Sequence, residues 1–212
     1  MSLPSKNSLL VFGVAACVVL VCVGALCFVA TKAGLIRPPF FGRWYQGPHP
    51  TRVVDVPPIP PRAFQKRLED RLNAAVRSGR HPFVLTISEQ ELTGGFKAVI
   101  DDALRDKRWK QLTSQIVVRP TDFEMFCRYA RGPLRMDLFI RFAPEISGRG
   151  VVFHPTVVQF GDFHIPTTFA ERALSVLFNR DLGRWDFSLP GARLSTIKLR
   201  DRAVDLAFTP GP

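Results

Sequence analysis

The residues best suited to chemistry in this 212-residue chain are two histidines and an aspartate in its second half. The stretch HPTVVQFGDFH contains His154, Asp162 and His164, and a bend at Gly161 would bring two imidazoles and a carboxylate together. Zinc binds such a set of ligands. The spacing is not diagnostic, unlike two histidines four residues apart on a helix. We therefore predict capped or solvated histidines and no metal site.

Motifs of catalysis and cofactor binding are missing from the sequence. It has no G-x-S-x-G nucleophile elbow and no glycine-rich phosphate loop after a strand. Asp101 and Asp102 are adjacent, so they point about 100° apart on a helix and do not form an acid–base pair. We predict no catalytic residue, no metal and no cofactor. The least favoured alternative is a hydrolase that works through His154, Asp162 or His164.

Apolar side chains suggest a different kind of site, for a lipid or another apolar or amphiphilic ligand. Phe126 and Phe139 fall on the polar side of two predicted strands, where two rings need a cover: a helix, a partner or an apolar ligand. The alternative is that all these side chains are ordinary core residues, since aromatic rings dominate protein cores. The predicted ligand-binding residues are Phe126, Phe139, Phe153, Val158, Phe160 and Phe163.

Helices and strands that would position these residues can be read from the apolar spacing. RAFQKRLEDRLNAAVRSG has apolar residues four apart, which predicts an amphipathic helix, and HPFVLTIS alternates as a half-buried strand does. Ser88 and Glu91 form a capping box that opens a second helix. Gly94 and Gly95 inside this helix each cost about 1 kcal/mol relative to alanine. We expect them to mark a close backbone approach or a distorted turn.

The middle and end of the chain have the patterns of antiparallel strands. DFEMFCRY and LRMDLFIRF alternate, and a hairpin with Tyr129 opposite Leu134 places both apolar sets on one face. GVVFHPTVVQF is apolar at both parities, which predicts a strand buried on two sides. IPTTFAERALSVLFNR restarts helix, with Thr168 and Glu171 as a capping box. LSTIKLRDRAVDLAF predicts a terminal hairpin that turns at residues 201–202.

These elements predict an α+β fold: an N-terminal transmembrane helix followed by one domain, in which two or three helices pack on a curved antiparallel sheet. The parts are a short tail at residues 1–7, a transmembrane helix at 8–31, a proline-rich basic linker at 32–62 and the α+β domain at 63–212.

The transmembrane prediction depends on a long uncharged run. No charged residue occurs between Lys6 and Lys32, and a helix needs roughly 20 mainly apolar residues to cross a bilayer. A cleaved export signal has a shorter apolar core and a small-residue cleavage site, which is missing before Lys32. A lipoprotein acylated at Cys17 remains an alternative, although only six apolar residues precede its motif.

The linker is rich in proline and in positive charge. Eight prolines between Ile36 and Arg62 favour an extended, semi-rigid spacer. Residues 32–80 contain ten Lys and Arg against three acids, and basic residues beside a span are attracted to anionic lipid. The rest of the domain is almost balanced, so we predict no nucleic-acid partner. The linker aromatics either lie at the membrane interface or pack onto the domain. The predicted membrane-interface residues are Lys32, Arg37, Phe40, Phe41, Arg43, Trp44 and Tyr45.

Several features follow one another in a characteristic order. They are an N-terminal span, an ISEQEL strand-to-helix step, a middle antiparallel run, an FGDFHIPTTF turn into a helix and a closing STIKLRDRAVDLAF hairpin. In this order the chain resembles, over roughly residues 83–208, the YpmS-like family of small membrane-anchored bacterial proteins. The glycine pair at 94–95 and the long linker depart from that family. The resemblance implies a domain outside the cytoplasmic membrane, whereas the positive residues after the span favour the cytoplasmic side.

Together the patterns predict a single-pass, membrane-anchored, non-enzymatic binding domain at the cell envelope. Its partners would be membrane lipid, through the helix and the basic segment, and an apolar or amphiphilic ligand. The alternative is a structural or assembly partner of a membrane or envelope protein complex. Such a partner would present an edge strand or the Phe126 and Phe139 face to another protein.

Overall fold

The computed structural model describes most of the chain. Its backbone is described at residues 6–36, 45–78, 82–104, 110–147, 150–169, 184–186 and 192–210. Within these ranges, the side chains outside the description are those at 6–17, 102–104, 147, 150 and 184–186. The predicted interface residues that lie outside the described residues are Arg37, Phe40, Phe41, Arg43 and Trp44. Most of the helix predicted over IPTTFAERALSVLFNR, including Glu171 of its capping box, also lies outside them.

Within these ranges the chain forms three helices and nine strands, and residues 167–169 are also helical. The helices are α1 (Lys6–Lys32), α2 (Pro61–Arg77) and α3 (Glu89–Leu104). The strands are β1 (Phe83–Ser88), β2 (Lys110–Val118), β3 (Phe123–Arg131), β4 (Leu134–Ser147), β5 (Gly150–Phe160), β6 (Phe163–Ile165), β7 (Arg184–Asp186), β8 (Ala192–Arg200) and β9 (Ala203–Pro210).

The strands form antiparallel sheets, which confirms the predicted α+β class with a curved antiparallel sheet and a few helices. The smaller sheet has the order β1-β9-β8, and the terminal β8–β9 hairpin turns at residues 201–202 as predicted. The larger sheet has the order β2-β3-β4-β5-β6, and β7 pairs with β5. The strand β2 was not predicted, because KQLTSQIVV has polar residues at both parities in its first half.

The predicted β3–β4 hairpin forms, but the predicted register is wrong by two residues. Tyr129 pairs with Met136 instead of Leu134. The ladder is longer because its turn contains only Gly132 and Pro133, and Gly132 has a φ of 58°. Glycine adopts positive φ without strain and suits the first central position of a two-residue turn. A shift of two residues keeps every side chain on its predicted face.

The prediction that β5 is buried on both sides is also wrong. Val151 and Val158 are buried, whereas His154 and Thr156 are exposed. The register between β4 and β5 shifts at Arg141, as in a β-bulge. An extra residue in β5 reverses its inward parity along the strand. Odd residues before the bulge and even residues after it therefore share one face, which explains the apolar residues at both parities.

The start of α3 has the predicted capping box. The Ser88 amide donates to the Glu91 carboxylate at 2.9 Å, and the Glu91 amide donates to the Ser88 hydroxyl at 3.2 Å. Gly94 has the predicted close backbone approach, since a Cβ there would lie 2.6 Å from the Cγ1 of Ile59. The Ile59 amide donates to the Gly94 carbonyl at 2.8 Å. The glycine therefore makes room for the linker.

The main core lies between α2, the smaller sheet and one end of the larger sheet. Phe208 is fully buried there, and its ring stacks on Phe83 with centroids 5.0 Å apart. A second cluster joins Ile100 of α3 to Cys127 and Tyr129 of β3. Burial raises the pKa of the Cys127 thiol to about 12. Cys127 is thus an unreactive core residue.

The helix α1 meets the domain at its C-terminal end. Thr31 and Ala33 are buried, whereas the large apolar side chains from Val18 to Val29 are exposed. Gly34, with a φ of 74°, ends the helix, and the Leu35 amide donates to the Ala30 carbonyl at 2.9 Å. Among the residues whose side chains the structure describes, which begin at Val18 in α1, no helix is both long and apolar enough to cross a membrane.

Candidate functional site

Residues 45–60, in the second half of the predicted linker, lie against the larger sheet; we call this segment the strap. It contains no helix or strand. The sheet has two faces, which we name by their side chains. The polar face consists of Gln115, Glu124, Phe126, Arg128, Asp137, Phe139 and Arg141, and the apolar face includes Met125, Cys127, Leu138, Ile140 and Val158. The strap is bound along the polar face.

Asp162, in the turn between β5 and β6, holds both the end of α1 and the start of the strap. Its carboxylate accepts a hydrogen bond from the Gly47 amide at 2.6 Å and forms an ion pair with the Lys32 ammonium at 3.0 Å. The sequence had suggested Asp162 as a partner of two histidines. His154 instead lies 3.0 Å from Glu145. Among the described residues, no three metal-binding side chains come together.

Asp137, in β4, binds the first residue of the strap. Its side chain is 1% exposed and accepts a 2.7 Å hydrogen bond from the Tyr45 hydroxyl. Arg128 donates to both carboxylate oxygens, at 2.7 and 2.9 Å. Tyr45 therefore packs onto the domain, which was the alternative to a place at the membrane interface.

Glu124, in β3, is the most heavily bonded carboxylate under the strap. It accepts hydrogen bonds from the amide and hydroxyl of Thr51, at 2.9 and 2.7 Å, and from Arg119 and Arg141, at 2.8 and 2.9 Å. Burial alone would raise its pKa, but these hydrogen bonds outweigh burial and lower the pKa to about 2. A carboxylate held in this way stabilises the fold and is a poor general base.

The strap then reaches β2 and the start of α3. Gln115, which is 1% exposed, accepts from the Val54 amide at 3.1 Å and donates to the Arg52 carbonyl at 2.6 Å. The Arg52 guanidinium binds the Glu89 carboxylate at 2.5 Å and the Val118 carbonyl at 2.6 Å. Backbone groups of the strap thus find side-chain partners where a regular strand would find backbone partners.

The predicted pair of rings lies between these contact points. Phe126 and Phe139 are directly opposite each other in the β3–β4 ladder and are 3% and 6% exposed. The guanidinium groups of Arg128 and Arg141 lie over the two rings, at 5.4 and 5.8 Å from their centroids. The strap is bonded to Gln115, Glu124 and Asp137 on the same face as the two rings. The predicted ligand-binding role of Phe126 and Phe139 stays a prediction.

The other four predicted ligand-binding residues are on the apolar face. Phe153 packs edge-on against Phe142, at 5.3 Å between centroids. Val158 is buried against Ile140, whereas Phe160 pairs with Leu138 and is half-buried. Phe163 lies opposite Phe160 and is 38% exposed. The six residues therefore do not form one site, because they divide between the two faces of the sheet.

The open end of the apolar face lies beside the end of α1. The Asp162 amide donates to the Lys32 carbonyl at 2.8 Å. Gly161 has a φ of 56°, and a Cβ there would lie 2.5 Å from the carbonyl carbon of Ala33. This backbone contact fixes the β5–β6 turn against the helix. Phe160 and Phe163 flank the turn, so they are the next residues along the chain on either side of this contact.

No protein-family model, curated protein or solved structure matches this chain. The resemblance to the YpmS-like family therefore stays a prediction. The function has to be argued from the geometry of the domain.

Sequence reasoning missed the carboxylates that bind the strap. Their signal was present, because Glu124 and Asp137 are on the same side of the hairpin as Phe126 and Phe139. Acids beside buried rings need partners. The proline-rich strap has backbone amides that also need partners. Pairing these acids with the amides of the strap would have predicted that the strap binds to the polar face.

Proposed function

We propose that this chain is a single-pass, membrane-anchored, non-enzymatic binding domain at the cell envelope. Its ligand is an apolar or amphiphilic molecule such as a membrane lipid, bound on the apolar face of the larger sheet. The observation that carries the proposal is the place of Phe160 and Phe163, which lie on either side of a turn bonded to the end of α1.

The anchor is supported by the length and surface of α1. Its 27 residues correspond to about 40 Å, against roughly 30 Å for the bilayer hydrocarbon. Large apolar side chains from Val18 to Val29 are 45–71% exposed. They point to all sides of the helix, as in a helix that lipid surrounds. The resemblance to the YpmS-like family supports placing the domain outside the cytoplasmic membrane.

The ligand class is supported by the chemistry of the apolar face. Leu138, Phe160 and Ile165 are only half-buried, and Phe163 is exposed. A lipid leaving the bilayer beside Lys32 would reach these side chains first, because the β5–β6 turn is in contact with that end of the helix. The carboxylate of the turn, Asp162, is already held by Lys32 and two amides.

A photoreactive lipid tests the proposal. The full chain is placed in nanodiscs that contain a phospholipid with a diazirine in its acyl chain, and the crosslinked residues are mapped by mass spectrometry. We expect labelling in β4, β5 and β6 as well as in α1. Phe163→Glu should lower the sheet labelling severalfold, because a charge opposes entry of an acyl chain. Val84→Glu is the matched control, since Val84 is also exposed but is on β1.

Each outcome decides a different part of the proposal. Labelling confined to α1 would leave an anchor but reject the lipid site. No labelling anywhere would reject the anchor as well. Crosslinks from β5 and β6 to a second protein in intact membranes, without lipid adducts, would favour the assembly-partner alternative.

A further inference from the structure

The tip of the β3–β4 hairpin, like the β5–β6 turn, is bonded to the end of α1. The Arg135 amide donates to the Leu35 carbonyl at 3.1 Å. Leu35 follows Lys32, the last residue of the helix, by three positions. The hairpin tip therefore lies beside the point where the helix enters the domain.

Two arginines project from this tip. Arg131 and Arg135 are both exposed, and they lie on opposite faces of the hairpin, because Arg131 pairs with Leu134 and Arg135 pairs with Ala130. Neither forms an ion pair with an acid among the described residues. The nearest acid along the chain, Asp137, is already bound by Arg128 and Tyr45. The tip thus presents positive charge that the domain does not neutralise.

We propose that Arg131 and Arg135 bind the phosphate groups of anionic phospholipids in the membrane that holds α1. This inference rests on the proposed anchor. The planar guanidinium donates two parallel hydrogen bonds to a phosphate, which an ammonium does not. Since the tip flanks the helix end, its arginines lie at the depth of the lipid headgroups.

The inference differs from the sequence prediction. The sequence predicted headgroup contact by the linker, with Lys32 as its first residue. In the structure Lys32 is paired with Asp162, and Tyr45 is bound to Asp137. The tertiary contacts place two residues about 100 positions later in the chain at the same membrane surface. A basic residue at an anionic surface strengthens binding by up to about fivefold, and salt weakens this effect.

Lipid retention tests the inference. The full chain in a mild detergent is titrated with phosphatidylglycerol or phosphatidylcholine of identical acyl chains, and the lipid-bound fraction is read by native mass spectrometry. We expect tighter binding of phosphatidylglycerol by the unmodified chain. The double variant Arg131→Gln with Arg135→Gln should lose roughly tenfold of its phosphatidylglycerol affinity and much less of its phosphatidylcholine affinity, because the choline charge offsets that of the phosphate.

Matched variants keep the result interpretable. Arg62→Gln with Arg67→Gln removes the same charge from exposed positions of α2 and should change neither affinity. Arg131→Lys with Arg135→Lys should retain part of the preference, because charge remains. Thermal unfolding of each variant shows whether the fold persists.

Equal losses in the α2 pair and the hairpin pair would overturn the inference, as would an unmodified chain with no headgroup preference. If α1 is not a membrane anchor, the result is different, because the unmodified chain would then leave membranes on washing with alkaline carbonate. Failure of the apolar lipid site gives a third result, in which Phe163→Glu leaves the affinity for both lipids unchanged.

Discussion

Three carboxylates, two of them buried, are the residues on which the arrangement of this protein depends. Glu124, Asp137 and Asp162 each bind both a basic side chain and part of the segment before the domain. Removing one partner from a buried charge leaves the other uncompensated, which costs several kcal/mol. Single substitutions at these positions should therefore have large effects on the stability of the whole chain.

Glu124→Gln should lower the free energy of unfolding by about 3 kcal/mol, because two arginines lose the charge that they surround. Urea unfolding of the full chain in detergent, followed by circular dichroism, measures this change. Glu145→Gln is the control, since its side chain is 70% exposed, and it should change stability by no more than about 0.5 kcal/mol.

The same residue should give the protein an acid-sensitive stability. The folded-state pKa of Glu124 lies at about 2, below the ordinary value of 4.5. Its contribution is complete above about pH 4.5 and is lost as the pH falls through about 2. Unfolding free energies measured across this range should fall less steeply for Glu124→Gln. Parallel curves for the two proteins would contradict the assignment.

At the scale of elements, two turns determine how α1 meets the domain. The β5–β6 turn is packed against Ala33, and the β3–β4 hairpin binds Leu35 through the Arg135 amide. Both turns contain a glycine with positive φ, Gly161 and Gly132. Only Gly161 is also in close contact with the helix end.

This difference gives a matched pair of substitutions. Gly132→Ala should cost about 1–2 kcal/mol, the penalty of an alanine with positive φ, since its Cβ meets nothing within 4 Å. Gly161→Ala bears the same penalty, and its Cβ would also lie 2.5 Å from backbone atoms of Ala33. We expect a further loss of about 1–3 kcal/mol.

Hydrogen exchange at the Asp162 amide, which donates to the Lys32 carbonyl, reports the contact directly. Exchange should accelerate in Gly161→Ala and remain slow in Gly132→Ala. Equal stability losses with equal exchange rates would mean that the turn does not hold the helix.

At the scale of the whole molecule, the strap and the two turns make the helix and the domain one unit. An extended, semi-rigid spacer would hold the domain away from the helix end. The bonds of Tyr45, Thr51 and Val54 to the polar face instead keep the domain beside the helix end. The surface beside the helix end is thereby fixed, and it contains the β5–β6 turn and the hairpin tip.

A charge in the middle of α1 tests the anchor. Leu20 is 70% exposed, and an arginine at the centre of a membrane helix costs about 2.5–3.5 kcal/mol of insertion free energy. Leu20→Arg should reduce the fraction of the chain that stays in membranes after washing with alkaline carbonate. Val84→Arg, at an exposed site on β1, should leave that fraction unchanged. Equal retention of the two variants would contradict a membrane-spanning α1.

Local patterns predicted much of the fold correctly. Helices α2 and α3, the Ser88–Glu91 capping box, the hairpins and the α+β class follow from spacing and capping chemistry over a few residues. The β3–β4 register was wrong by two residues because alternation fixes the face of a side chain and leaves its partner open. The strand β2 was missed because its alternation is weak.

The candidate site depended on contacts between distant parts of the chain. The sequence by itself determined the apolar helix, the basic linker and the side chains on each face of each strand, since these follow from residue type and period. Only the tertiary structure decided that the strap is bound to the face that contains Phe126 and Phe139 and that Asp162 and Arg135 meet the end of α1. Such pairings bring together residues 70 to 130 positions apart. A local sequence pattern cannot predict these pairings, because they depend on hydrogen bonds between the carboxylates and the strap amides in the assembled fold.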